Sequence, residues 1–85
     1  MDRKEMTLDR LAPGASGRIT ALRHPEPTAR RLMELGLIPG AVLTRRYTAP
    51  AGSPIAYEAG GTLLALRRKD AAQIFVQELA LPWTV

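Results

Sequence analysis

The sequence contains no cysteine among its 85 residues. That absence excludes a disulfide framework, a thiolate zinc site, an iron–sulfur cluster and a cysteine nucleophile. Small secreted folds usually depend on such staples, so the cytosol is the expected compartment. Histidine is nearly absent too: His24 stands alone, and Ser16 and Ser53 are the only serines. A Ser-His-Asp arrangement would have to use His24, whose proline-flanked loop offers no orienting acid at a meaningful spacing. Aromatic residues make up 5% of the chain and should serve the core first. Uncharged stretches such as Leu35 to Thr44 carry Gly and Pro and stop well short of the roughly 18 apolar residues that span a bilayer. Met1-Asp2-Arg3-Lys4-Glu5 leads into no apolar segment of the signal-peptide kind.

What is present suits one small globular domain. Apolar residues account for 46% and charged residues for 24%, and a chain of this size buries only about 60–65% of its unfolded surface. We expect a single unit over 1–85, with its core in 6–78 and an apolar tail in 79–85. The net charge is +4. A basic balance is compatible with an acidic protein surface, nucleic acid or anionic lipid, and selects none of them.

The pattern along the chain is mainly β. Residues 1–6 read as a frayed arm. Thr7 is a good N-cap for one helical turn through Leu11, stopped by Pro13-Gly14. Gly17 to Arg23 alternates imperfectly and reads as a strand. Pro27 opens a helix in which Ala29, Leu32, Met33 and Leu35 form an apolar stripe, and Arg30, Arg31 and Glu34 face outward. Gly36 sits where a left-handed residue ends a helix, so that Leu37 or Ile38 can fold back onto the last turn. Pro39-Gly40 has the type II turn preference. Strands follow over Ala41–Thr48, over Ser53–Glu58 and, after a Gly60-Gly61 hairpin turn, over Thr62–Leu66, whose apolar run predicts a central strand. A short turn at Arg68 to Gln73 leads to a last strand, Ile74–Glu78. Five short strands separated by Gly/Pro turns, with one helix between the first two, predict a small closed barrel.

Sites for bond chemistry are sparse. Pro13-Gly14-Ala15-Ser16-Gly17 lacks the spacing and the lysine of a phosphate loop. His24 and Glu26, two apart in a loop, are weak surface candidates for a divalent cation, too few for four-coordinate zinc within one chain. Arginine clusters at Arg30-Arg31, Arg45-Arg46 and Arg67-Arg68-Lys69, but without the interleaved aromatics that stack bases. Adjacent strand residues such as Arg45 and Arg46 face opposite ways and form no single patch.

The string Arg31-Leu32-Met33-Glu34-Leu35-Gly36-Leu37-Ile38-Pro39-Gly40 resembles the signature of the FeoA family of ferrous-iron transport proteins. Thr7-Leu8-Asp9-Arg10-Leu11-Ala12-Pro13-Gly14 resembles the family's opening, Gly17-Arg18-Ile19 its first strand, and Leu64 to Ala71 its "ALRR.EA" ending. The likeness runs from about Met6 to Glu78, with the Pro25-Glu26-Pro27 loop and the Trp83 tail as departures. It implies an SH3-like barrel and a cytoplasmic accessory to FeoB, the membrane Fe(II) transporter, recruited to the inner face of the membrane. It implies neither enzyme activity nor a required cofactor, and leaves weak divalent-metal binding and self-association open. Carried over by position, Leu32, Leu35, Gly36, Pro39 and Gly40 are structural, and Arg30, Arg31, Glu34, Leu37 and Ile38 form the exposed partner-binding set. Two other readings stand beside it: a metal-responsive or peptide-binding regulatory SH3-like module, and a nucleic-acid-binding SH3-like barrel, although nucleic acid is not the expected partner.

Overall fold

The computed structural model describes residues 5–79. The expected role of Trp83 lies outside them. The chain forms β1 (Glu5–Thr7), a 3-10 turn (Leu8–Arg10), β2 (Ser16–Leu22), α1 (Glu26–Glu34), β3 (Val42–Thr48), β4 (Ile55–Ala59), β5 (Thr62–Leu66), α2 (Arg68–Ala71) and β6 (Ile74–Leu79). Each pairing is antiparallel.

Two features of the expected barrel are corrected. The sheet has six strands rather than five, because Glu5–Thr7 pairs with Gln77, Val76 and Phe75 of β6. It is also open: in the order β1-β6-β2-β3-β4-β5, no described strand joins β5 back to β1. β5 is therefore an edge strand, not a central one. Its apolar run is accounted for on one face only, where Leu66 is buried and Leu64 half-buried, while Leu63 projects outward.

The imperfect alternation in β2 has a physical cause. The register to β6 slips between Ile19 and Ala21. A bulge at that point changes the phase of the side chains, so that Ile19 is buried and Leu22, three residues on, packs against the same core. That core is Leu8, Leu11, Ile19, Leu32, Leu37, Leu43, Ile55, Tyr57, Leu66, Ala71, Ile74 and Val76.

The 3-10 turn covers one end of the core and is held by side chains from the sheet. Thr7 occupies its cap position but makes no capping bond. Instead, the Tyr57 hydroxyl donates to the Leu8 carbonyl at 3.1 Å, and Arg45 Nη1 donates to the Leu11 carbonyl at 2.6 Å and to that of Asp9 at 3.2 Å. Burial pushes the Tyr57 hydroxyl up to about 12 from 10.0. Tyr57 therefore supports the fold as the neutral phenol. That contribution is complete below pH 10 and is lost as pH rises through about 12. We expect stability to fall by roughly 2 kcal/mol across this window, and Tyr57→Phe to flatten the dependence in urea titrations at stepped pH. An equal slope in the variant would rule the mechanism out.

Gly17 marks a close approach. A Cβ there would lie 2.9 Å from Val76 Cγ2 and 3.3 Å from Leu11 Cδ1. Gly17→Ala should therefore overpack the junction of β2, β6 and the 3-10 turn, at a cost of about 1–3 kcal/mol. A thermal melt checks this; an unchanged midpoint would mean that Val76 yields without cost.

Candidate functional site

α1 begins one residue before the expected Pro27, with Pro25 as the cap and Glu26 in the first turn, where the dipole favours an acid. Its end follows the sequence expectation. Gly36 has φ +99, its N–H donates to the Met33 carbonyl at 2.9 Å, and the Leu37 N–H donates to the Leu32 carbonyl at 3.1 Å. This is the Schellman pattern of paired bonds across a left-handed residue. Gly40, with φ +96, then completes the turn in which the Ala41 N–H donates to the Ile38 carbonyl at 2.9 Å.

The Schellman turn decides which leucine is inside, and two assignments are corrected by it. Leu37, expected in the exposed set, is 0% exposed and belongs to the core. Leu35, expected to anchor the helix, is 55% exposed. The left-handed glycine reverses the chain, so Leu37 rather than Leu35 folds down beside the buried Leu32. Leu35 closes the helix as its C-cap residue and is left in solvent.

The result is an apolar surface at the C-terminal end of α1. Met33 is 42% exposed and Ile38 47%, and Leu35 and Val42 are exposed with them. Leu35, Gly36, Ala41 and Val42 line a shallow groove whose opposite wall is Ala59 and Gly60 of the β4–β5 hairpin. Arg30, Arg31 and Glu34 are exposed on the helix that borders it. Arg30 pairs with Glu26 at 3.0 Å, with both side chains mostly in solvent, so the pair contributes little to stability. Met33, Leu35 and Val42 were missed as surface residues. For Leu35 the missing signal was the left-handed Gly36, which gives the core position to Leu37.

His24 is not a solvated loop residue. It is 8% exposed, and its Nε2–H donates to the Asp70 carbonyl at 2.8 Å. The loop after β2 lays the ring against α2, which fixes that tautomer and takes one ring nitrogen out of use as a ligand. Glu26 lies on the surface with Arg30. Among the described residues, no group of three or more His, Cys, Asp or Glu side chains is gathered to hold an ion.

The arginine clusters are divided among local partners. Arg45 turns to the 3-10 turn, while Arg46 pairs with Glu58 at 3.4 Å. Arg67 pairs with Asp70 at 3.2 Å, and Arg68 Nε donates to the Gly52 carbonyl at 2.9 Å. The register between β3 and β4 slips between Arg45 and Tyr47, and the two adjacent arginines still reach different neighbours. No helix among the described residues is long and apolar enough to cross a membrane.

Fold and surface together define a small SH3-like β domain that exposes apolar residues at a helix end and along an edge strand. The FeoA domain model matches residues 6–78, and the chain belongs to the FeoA family. Solved structures agree with this. The chain is 40% identical to the FeoA protein from Chlorobium tepidum, covering 88% of this chain and 71% of that one at a TM-score of 0.84. It is 32% identical to iron(II) transport protein A from Clostridium thermocellum, with 87% and 46% covered and a TM-score of 0.82. It is 30% identical to Stenotrophomonas maltophilia FeoA, a procaryotic SH3 domain protein complexed with zinc, with 85% and 89% covered and a TM-score of 0.73. No curated protein matches the chain.

Proposed function

We propose that this chain is a cytoplasmic accessory protein of ferrous iron uptake, which docks on the cytosolic side of a FeoB-type transporter through the apolar end of α1. The family supplies the process, since its relatives carry the names of iron(II) transport proteins. The observation that supports the docking face is the groove lined by the exposed Leu35 and Val42, with the exposed Met33 and Ile38 close by in sequence. Clustered exposed apolar residues rimmed by charge mark interaction sites. Arg30, Arg31 and Glu34 form that rim and set orientation, while the apolar residues supply the affinity. The chain acts by surface complementarity rather than by making or breaking bonds.

The test is direct binding of the purified chain to a FeoB-type transporter held in lipid nanodiscs, wild type against variants at Leu35. Loss of binding by variants that remain folded supports the reading, and wild-type binding by all of them would end it.

A further inference from the structure

The two edges of the sheet are guarded differently. β1 has three residues and begins with Glu5, which makes it short and charged. β5 is Thr-Leu-Leu-Ala-Leu, with no charge, no proline and an unbroken register to β4. Leu63 on it is 55% exposed, and Ala65 is exposed as well. Short length, charge, proline and bulges are the devices that protect natural edges, and β5 carries none of them. Among the described residues, no strand pairs with its outer side.

The hairpin determines which backbone groups face outward. Gly60 and Gly61, with φ +58 and +85, form a two-residue turn closed by Ala59 and Thr62. A two-residue turn with both central residues at positive φ closes on a hydrogen-bonded pair. Hydrogen-bonded and open pairs then alternate along an antiparallel ladder. Thr62, Leu64 and Leu66, opposite Ala59, Tyr57 and Ile55, therefore spend their backbone groups on β4. The N–H and C=O of Leu63 and Ala65 point away from the sheet. This outward set is symmetric about Leu64.

We propose that β5 pairs antiparallel with β5 of a second copy of this chain, about a two-fold axis at Leu64. Leu63 of each copy exchanges both backbone hydrogen bonds with Ala65 of the other, and Leu64 faces its own counterpart as the open pair. Every outward donor and acceptor of the strand is satisfied by its symmetry mate, and the second copy brings the same uncharged, proline-free strand to the pairing. Charge favours the same arrangement. Antiparallel pairing sets the Arg67-Arg68-Lys69 end of one strand beside the Gly60-Gly61 turn of the other, whereas parallel pairing would bring the two basic ends together. On the outer face, the cross-strand row Tyr47, Ala56, Ala65 continues onto Leu63 of the second copy, so the exposed leucine gains a neighbour. Two five-residue strands bury less than the roughly 1,600 Å² of a standard interface, so the dimer is reversible and concentration-dependent. The paired edge of β5 is not itself part of the docking groove, but it adjoins it, since Gly60 lines the groove and lies beside the second copy's basic strand end.

Sedimentation equilibrium from low micromolar to near-millimolar protein tests it. The wild type is expected to pass from monomer to dimer over that range. Leu63→Lys, at an exposed position, is expected to keep its circular dichroism and melting midpoint while raising the dimer Kd about tenfold or more. Because the chain has no cysteine, single substitutions report the register. Open antiparallel pairs place Cα atoms about 4.5 Å apart, within reach of a disulfide, so Leu64→Cys should oxidise to a covalent dimer. Leu63→Cys and Ala65→Cys, both at exposed positions, should each oxidise poorly alone and cross-link to one another when mixed. A wild type that stays monomeric throughout, or equal oxidation of Leu63→Cys alone and in the mixture, would overturn the proposal.

Discussion

Replacing Leu37 by aspartate is expected to leave a chain that does not fold cooperatively at room temperature. Leu37 is fully buried in the single core, beside Leu32 at the point where the helix end meets the sheet. Removing a buried leucine side chain costs about 2–5 kcal/mol from lost transfer energy and the cavity left behind. A carboxylate in the same place adds a desolvation cost, because no described cation lies in that core to pair with it. Small domains have only about 5–15 kcal/mol in total, and one of this size sits toward the lower end. The substitution also strikes the Schellman end of α1, since the Leu37 N–H bonded to Leu32 is held in place by the buried side chain. Far-ultraviolet circular dichroism and a thermal melt decide the outcome. A sigmoidal transition within a few degrees of wild type would show that Leu37 leaves the core at little cost. Leu37→Ala provides the graded control, destabilised by about 2–5 kcal/mol yet still folded at low temperature.

The contrast between Leu37 and Leu35 shows where sequence reading reaches its limit in this chain. Local chemistry was legible: Gly36 ends the helix, Pro39-Gly40 makes the following turn, and Gly60-Gly61 closes a hairpin, all with positive φ at the glycines. Each follows from one residue type in one backbone conformation. The side that Leu35 and Leu37 face was not legible by extending the helical period, because a left-handed residue resets the phase. The pattern of bonds that such a turn makes does predict the reversal. β1 was hidden for another reason: three residues cannot display a period, and their strand conformation comes from β6, some seventy positions away in sequence. The place of β5 depends on strand order, and an apolar run reads the same at an edge as in the centre. His24 is buried because the Asp70 carbonyl meets its ring, a contact across 46 positions that no local window contains. Of the expected site, Arg30, Arg31, Glu34 and Ile38 are on the surface as read, and the apolar centre of the face had to come from the fold.

Leu35 is the position at which the docking face can be separated from the fold. It caps α1 with its side chain more than half in solvent, so substitution there should leave the core intact. Two charged replacements bracket the remaining effect on stability. Leu35→Asp places an anion at the negative end of the helix dipole and should cost about 0.3–1 kcal/mol, whereas Leu35→Lys places a cation there and should gain a similar amount. Their effects on the fold are therefore opposite in sign, while both remove the apolar contact from the groove shared with Val42, Ala59 and Gly60. A central apolar anchor contributes about 2 kcal/mol or more to an interface of this kind, so both variants are expected to weaken transporter binding by about 30-fold. Loss in the aspartate variant alone would point to charge or fold rather than contact, and so would count against the apolar face. Loss in both, with melting midpoints displaced in opposite directions, admits neither explanation. Ferrous iron uptake in cells complemented with each variant should fall in parallel with binding, because the proposed accessory role acts only through the docked state.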